Sequence, residues 1–296
     1  MLSSQTNYNL EKQKGNLINS ISISFEFFPP KNEESITRLL SDINEFTTLN
    51  PSFISITCSP HKKTTNHTYK LIKKIKEQNR IHTVPHVTCI NHKKKELKTI
   101  AKKYWKNGVK SILALRGDKI KNSNSNTMYA IDLINILKTT GNFNVYVAAY
   151  PEVHPEAKNP TFDLLNLKNK FLAGANSAIT QFFFNAETYL RFRDKCSKIG
   201  IYNDIIPGIL PIVDIQQLKR FSSMTNVNIP IKIFKLLDNL TPNSIQFNII
   251  SSYITNSIID VLYREGVRKF HFYTLNKLYL AHSIAYILKM KNFSEK

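Results

Sequence analysis

The chain has 296 residues and a formal net charge of +20, a length that suits one large domain or two ordinary ones. Hydrophobic residues make up 42% and charged residues 21%, a composition that excludes a disordered or collagen-like protein. No run of about 18 uncharged apolar residues occurs, so we expect no membrane partner. The three cysteines, Cys58, Cys89 and Cys196, form no CxxC pair, which argues against a disulfide framework and a thiolate zinc site.

The positive charge raises nucleic acid as a partner, because clustered lysines and arginines neutralise phosphates. The 41 basic residues are instead spread along the chain, so we expect no nucleic-acid partner and keep a basic nucleic-acid-binding protein as the least favoured alternative. Residues 1–20 lack the apolar core of a secretory signal. We therefore predict an N-terminal arm over 1–20 and a cytoplasmic protein.

Eight short β-branched or aromatic runs alternate with longer segments of helical period, which is typical of βα units around a parallel sheet. The predicted strands cover residues 21–28, 53–57, 83–88, 111–115, 145–150, 178–183, 205–209 and 270–274. This count favours a single (βα)8 TIM barrel over residues 21–296, with extra helices between strands seven and eight. A doubly wound dinucleotide-binding sheet is the competitor, but no GxGxxG follows any of these strands.

The first predicted helix follows the first strand. Ile36, Leu39, Ile43 and Phe46 recur at three- and four-residue steps and give one apolar stripe, and Asn32 is the predicted N-cap. Further helices are predicted at about 64–78, 93–107, 127–140, 160–173, 186–199 and 214–223.

Side-chain alternation along the first strand separates two faces. Phe25 and Phe27 point one way, towards the helices, whereas Ser24 and Glu26 point into the barrel. Glu26 then stands at the C-terminal mouth, where barrel enzymes carry out their chemistry. Its apolar neighbours predict a pKa raised towards neutrality, which suits a general acid.

Polar residues recur at or just beyond the C-terminal ends of the predicted strands. They are Glu26, Thr57, His86, Asp118, Tyr150, Gln181 and Tyr273. Buried polar groups cost free energy unless they are satisfied or useful, so this recurrence indicates a site. His82 and His86 lie in or beside a strand and do not share a helical face, so no metal site is predicted.

Six sequence blocks occur in order between about residues 21 and 285. They are FEFFPPK (25–31), PHVTC (85–89), LRGD (115–118), AAYPEVHPEA (148–157), ITQFFF (179–184) and FHFYTLN (270–276). Together they resemble the methylenetetrahydrofolate reductase family, in its short bacterial form. The resemblance implies a barrel that binds FAD, takes hydride from NADH and reduces 5,10-methylenetetrahydrofolate to 5-methyltetrahydrofolate by a ping-pong mechanism, feeding methionine synthesis. It also implies a homo-oligomer. Another flavin- or pterin-dependent barrel oxidoreductase is the alternative.

The resemblance also implies residue roles. Glu26 matches the general acid, and Asp118 matches a carboxylate that contacts the pterin and tunes the flavin. The FAD-binding set is Thr57, His86, Arg116, Gly117, Asp118, Ala130, Tyr150, His154, Ala157, Asp163, Asn166 and Lys170. The folate- and nicotinamide-binding set is Gln181, Gln217, Phe221, Tyr273 and Lys277.

Two positions depart from the family pattern. After Thr57 the family usually has an aromatic residue, Gly and Ala, whereas this chain has Cys58-Ser59-Pro60. At position 277 the family's substrate-binding arginine is replaced by Lys277, which keeps the charge but loses the planar two-pronged donor.

Overall fold

The computed structural model describes residues 20–30, 32–58, 62–90, 92–118 and 128–294. The predicted N-terminal arm therefore lies outside the described residues, apart from Ser20. The strands are β1 (Ser22–Phe27), β2 (Phe53–Ile56), β3 (Thr83–Thr88), β4 (Ser111–Leu115), β5 (Asn144–Ala149), β6 (Ser177–Thr180), β7 (Asp204–Ile206), β8 (Gly208–Ile209) and β9 (Lys269–Tyr273). The helices, numbered in chain order, are α1 (Glu33–Thr47), α2 (Lys62–Asn79), α3 (Lys94–Lys106), α4 (Ala130–Thr140), α5 (Pro160–Leu172), α6 (Ala186–Lys198), α7 (Ile215–Thr225), α8 (Ile231–Leu237), α9 (Ile245–Arg264) and α10 (Leu278–Ser294).

The strands form one parallel sheet in the order β7-β6-β5-β4-β3-β2-β1-β9-β8. Only Pro207 separates β7 from β8, and β7 pairs with β6 while β8 pairs with β9. The two segments are thus halves of one bent barrel strand, and the Pro207 carbonyl accepts a hydrogen bond from the His271 N–H at 3.0 Å. The sheet is a nearly closed barrel with alternating helices, which confirms the predicted (βα)8 fold.

The apolar core lies mainly between the strands and the surrounding helices. Phe25 and Phe27 are fully buried, and both pack edge-on against Phe46 of α1, with Phe25 at a centroid distance of 4.5 Å. This confirms the predicted outward face of β1. Asn32 caps α1 as predicted, since its side-chain oxygen accepts a hydrogen bond from the Ser35 N–H at 2.9 Å.

The predicted extra helices between the seventh and eighth barrel strands are confirmed as α8 and α9, which follow α7. Together these helices cover a second apolar cluster that includes Phe182, Leu210, Leu237 and Phe247. The prediction of a strand over 178–183 is wrong at its end, because β6 stops at Thr180. Phe182 leaves the sheet and packs into this second cluster, so an apolar run was mistaken for a longer strand.

Two further predictions concern membranes and metals. Across the part of the chain that the structure describes, no helix is both long and apolar enough to cross a membrane. Within the same residues, no three His, Cys, Asp or Glu side chains are grouped so that they could hold a metal ion.

Candidate active site

Glu26 lies at the C-terminal end of β1, between histidines from two other strands. Its Oε2 atom is 3.2 Å from Nε2 of His86 on β3 and 3.6 Å from Nε2 of His271 on β9. Only 14% of the Glu26 side chain is exposed. The structure thus brings a carboxylate and two imidazoles together at the barrel mouth, as alternation along β1 predicted for Glu26.

The predicted rise in the Glu26 pKa is wrong. Burial does raise the pKa of this carboxyl, but the interactions with His86 and His271 outweigh it and lower the pKa from 4.5 to about 2. The apolar residues adjacent to Glu26 in the sequence account only for the effect of burial. The two histidines come from distant parts of the chain, and they make Glu26 an anion in the free protein.

His271 was not among the predicted site residues. It is completely buried, its Nδ1 atom lies 2.8 Å from the Ser24 hydroxyl, and its ring stacks on Phe53 at 5.6 Å. Burial lowers the pKa of His271, and Glu26 opposes this shift. The sequence contains a signal for His271, because Phe270 and Phe272 alternate with His271 and Tyr273 along β9. This alternation gives β9 one apolar face and one polar face, as in β1.

Tyr273 lies beyond His271 on the barrel-facing side of β9. Its hydroxyl donates to the Thr180 carbonyl at 2.7 Å, and burial raises its pKa well above the ordinary value. Gly208 permits this arrangement, since an added Cβ would lie 2.2 Å from the Thr180 carbonyl oxygen and 2.5 Å from the Tyr273 ring. The close approach of three strands at this point therefore requires glycine.

Aromatic contacts connect Tyr273 with the added helices. The Phe182 ring lies 6.3 Å from the Tyr273 ring and 6.2 Å from the Phe221 ring on α7. Gln181 follows β6, and its Oε1 accepts a hydrogen bond from the Phe182 N–H at 3.1 Å. Gln217 is also on α7, and its buried Oε1 has no hydrogen-bond partner among the described residues. The predicted residues Gln181, Gln217, Phe221 and Tyr273 thus belong to one side of the mouth.

A second group of predicted residues lies around the ends of β4 and β5. Arg116 makes a two-pronged ion pair with Glu156, at 2.8 and 2.7 Å, which raises the pKa of the guanidinium. The Tyr150 ring contacts the His154 ring edge-on at 4.5 Å. Burial, followed by Asp163 and Asp118, raises the pKa of Tyr150 to about 12. Glu156 was not predicted as a site residue, because its partner is 40 residues away in sequence.

Lys170 on α5 is the most deeply buried cation of this group. Its ammonium donates to the Ala148 carbonyl at 2.9 Å, and burial lowers its pKa to about 8. Asp163, on the first turn of the same helix, accepts a hydrogen bond from the His154 N–H at 2.9 Å. The helix therefore holds a positive charge and a loop-fixing carboxylate under the end of β5.

The remaining predicted residues are more dispersed. Gly117 has a φ of +89°, and a side chain there would contact Thr88 and Ile90. Asp118 is exposed, and it contributes to the raised pKa values of Arg116 and Tyr150. Lys277 is also exposed and lies just after β9. The other four are Thr57 after β2, Ala130 at the start of α4, Ala157 after His154, and Asn166 within α5. Of the departure Cys58-Ser59-Pro60, only Cys58 is among the described residues, and it is half-buried.

The fold and this mouth define a parallel-barrel enzyme with a carboxylate held by two histidines. The family model for methylenetetrahydrofolate reductase matches residues 12–291. The chain is 48% identical to a 5,10-methylenetetrahydrofolate reductase of Buchnera aphidicola from Schizaphis graminum, covering 94% of this chain and 95% of the relative. It is 45% identical to the enzyme of Escherichia coli K12, covering 92% of each. The chain therefore belongs to the methylenetetrahydrofolate reductase family, and its activity is that of a 5,10-methylenetetrahydrofolate reductase.

A solved structure shares the fold. It is an uncharacterized Clostridium thermocellum protein that binds two copies of 5-methyl-5,6,7,8-tetrahydrofolic acid, with a TM-score of 0.67 at 16% identity, covering 95% of this chain and 99% of that one. At this identity, the likeness supports the barrel architecture alone.

Proposed function

We propose that the chain reduces 5,10-methylenetetrahydrofolate to 5-methyltetrahydrofolate with FAD as cofactor and NADH as electron donor. The observation that carries the chemistry is the contact of Glu26 with His86, because it keeps a proton-transfer pair at the barrel mouth. We also infer a ping-pong order, in which NADH and the folate use one side of the mouth in turn. The product would supply methyl groups for methionine synthesis.

The residues around β4 and β5 suit FAD in their chemistry. Lys170 is a buried cation whose one hydrogen-bond acceptor among the described residues is a carbonyl, and a bound pyrophosphate would compensate its burial. His154 and Arg116 lie nearby, and the close packing of Gly117 against Ile90 and Thr88 leaves no room for a side chain there. FAD, when bound, supplies the relay that accepts a hydride from NADH and gives it to the folate. We propose that these residues, with the rest of the FAD set, bind it.

Glu26 would transfer the proton that opens the folate's five-membered ring. The ring must open to a 5-iminium cation before it accepts hydride, and protonation of nitrogen 10 promotes that opening. Since the pKa of Glu26 is about 2 in the free protein, the carboxyl alone holds no proton at neutral pH. We propose that the proton passes through Glu26 to the substrate, with the His86 imidazole in contact with the carboxylate at 3.2 Å.

Asp118 would act on the cation that this opening creates. It is an exposed carboxylate at the same end of the barrel, following Arg116 and Gly117 after β4. An anion close to a developing cation stabilises the transition state, because the charge is already in position when the cation forms. We assign Asp118 this electrostatic role and Gln181, Gln217, Phe221, Tyr273 and Lys277 the binding of folate and nicotinamide.

Three further expectations accompany this proposal. We propose a homo-oligomer, a cytoplasmic location and a single catalytic domain over residues 21–296. The Clostridium thermocellum neighbour binds 5-methyl-5,6,7,8-tetrahydrofolic acid, which agrees with a pterin ligand at a barrel of this shape.

The proposal is tested with the purified protein. A yellow flavin spectrum, together with NADH-dependent formation of 5-methyltetrahydrofolate, is the expected result. A yellow protein that leaves 5,10-methylenetetrahydrofolate unchanged would instead favour another flavin- or pterin-dependent barrel oxidoreductase. A colourless protein that takes up no added FAD would contradict the cofactor assignment.

A further inference from the structure

A tight turn follows β9 at the barrel mouth. The Lys277 N–H donates to the Thr274 carbonyl at 2.8 Å, and the two residues between them, Leu275 and Asn276, have φ values of 51° and 56°. Two consecutive left-handed residues closed by this hydrogen bond form a type I′ turn, which normally contains glycine or asparagine. Leucine is unusual in this conformation, so other contacts must hold the turn in place.

The Asn276 side chain supplies such contacts between the turn after β9 and the end of β1. Its Oδ1 accepts from the Phe28 N–H at 2.9 Å, and its Nδ2 donates to the Phe28 carbonyl at 3.0 Å. One amide thus pairs with both backbone groups of a residue, as a neighbouring strand would. The β1–β9 ladder ends with Glu26 opposite Tyr273, so Asn276 continues the pairing after β9 has turned away.

The same turn also holds the backbone of Glu26. The Thr274 hydroxyl donates to the Glu26 carbonyl at 2.6 Å, and the Thr274 N–H reaches that carbonyl at 3.3 Å. The chain is therefore fixed at Glu26 and again two residues later at Phe28. Since the Glu26 carboxylate must stay beside His86 and His271, a movement of this segment would displace it from both.

We propose that Asn276 is a positioning residue for the reaction, which holds Glu26 against its histidines and fixes the turn that carries Lys277. This proposal rests on the proton-transfer role proposed for Glu26. Asparagine suits the position because it tolerates the left-handed conformation and offers one donor and one acceptor. Aspartate would keep the acceptor but lose the donor to the Phe28 carbonyl.

The first test separates the two half-reactions in the Asn276→Gly variant. Glycine accepts the turn conformation, so the substitution removes the two side-chain hydrogen bonds without adding backbone strain. We expect flavin reoxidation by saturating 5,10-methylenetetrahydrofolate to slow roughly tenfold, which is less than the factor of about 10² to 10⁴ that a positioned acid contributes, because Glu26 itself is still present. Reduction by NADH should keep its rate. Unchanged reoxidation, or equal losses in both half-reactions, would overturn the proposal.

Asn50→Gly is the matched control. Asn50 is also exposed and left-handed, with a φ of 43°, but it precedes β2 at the opposite end of the barrel. Both half-reactions should keep their wild-type rates in this variant. If Asn50→Gly slowed folate reoxidation as much as Asn276→Gly, the effect would be a general one of removing a turn asparagine, and the proposal would fail.

A double-mutant cycle tests whether Asn276 acts through Glu26. In a Glu26→Gln background, Asn276→Gly should cause little further loss of the reoxidation rate, because the group it positions has already been removed. Additive losses would overturn the proposed route.

Hydrogen exchange of the Phe28 amide tests its contact with Asn276 independently of enzyme activity. In protein labelled with ¹⁵N-phenylalanine, the Phe28 amide should exchange at least several-fold faster in Asn276→Gly than in wild type. Unchanged exchange would show that Asn276 does not hold this segment. If the Phe28 amide exchanges faster in Asn276→Gly but the wild-type protein shows no folate turnover, the proposed function is contradicted. The conclusion that Asn276 holds this segment is then still supported.

Discussion

The Nε2 atom of His86 lies 3.2 Å from the Oε2 atom of Glu26, in a site where 7% and 14% of the two side chains are exposed. Because the folded protein lowers the pKa of Glu26 from 4.5 to about 2, this arrangement stabilises the fold above about pH 4.5. The contribution is lost progressively as the pH falls towards 2. At neutral pH the carboxylate is charged.

Glu26→Gln should separate the two half-reactions. Reduction by NADH needs no general acid, whereas opening of the folate ring does, and a positioned acid contributes about 10² to 10⁴ in rate. Stopped-flow absorbance should show near-normal reduction by NADH and reoxidation by 5,10-methylenetetrahydrofolate that is slower by about this factor. Equal losses in the two half-reactions would mean that Glu26 has only a structural role.

Ping-pong kinetics are expected because the predicted folate and nicotinamide residues share one side of the mouth. Phe182 contacts both Tyr273 and Phe221, so the two aromatic positions border a common space. Initial rates at several fixed folate concentrations should give parallel double-reciprocal lines against NADH. Intersecting lines would require both substrates to be bound together and would argue against a shared site.

Most of the fold was predictable because it depends on local periodicity. Alternation along β1 correctly separated Phe25 and Phe27 from Glu26, and the repeated βα pattern gave the barrel. The electrostatics of the site were not predictable in this way. His86 and His271 are far from Glu26 in sequence, and only closure of the sheet between β1 and β9 brings His271 to it.

The end of β6 shows a different limit. Ala178, Ile179 and Phe183 are all buried, so burial gives no sign of where the strand stops. The strand ends at Thr180 because the following residues pack against added helices whose position depends on tertiary contacts. Glu156 was missed for a similar reason, since its two-pronged pairing with Arg116 joins separate loops.

Lys170→Met should reveal a buried charge that costs stability in the absence of cofactor. Burial lowers the pKa of Lys170 from 10.5 to about 8, so the unfolded chain binds more protons between these values and wild-type stability rises with pH there. The free energy of unfolding of the wild type, relative to that of Lys170→Met, should therefore increase by about 3 kcal/mol between pH 8 and pH 10.5. Urea unfolding of the apoprotein at several pH values measures this shift.

The matched control for this experiment is Lys168→Met, a half-buried lysine on the same helix. If the stability difference for this variant changed with pH as much as that for Lys170→Met, the effect would not be specific to Lys170. The Lys170 variant should also bind FAD more weakly, because the proposed pyrophosphate contact is lost. A pH-independent difference for Lys170→Met would contradict the buried-charge interpretation, and unchanged FAD affinity would remove Lys170 from the FAD set.

Lys277 allows the departure from the family arginine to be tested. It is exposed on the turn after β9, where a single ammonium replaces a two-pronged guanidinium. A hydrogen bond to a charged group contributes about 1.5 to 3 kcal/mol when shielded, and considerably less in contact with water. Lys277→Arg should therefore lower the folate KM several-fold without changing the rate of reduction by NADH.

Lys277→Met should raise the folate KM, and the increase should be larger at low salt. The control is Lys198→Met, which removes an equal charge from α6 and should leave the folate KM unchanged. If neither Lys277 variant changes the folate KM, the glutamate tail of the substrate is bound elsewhere.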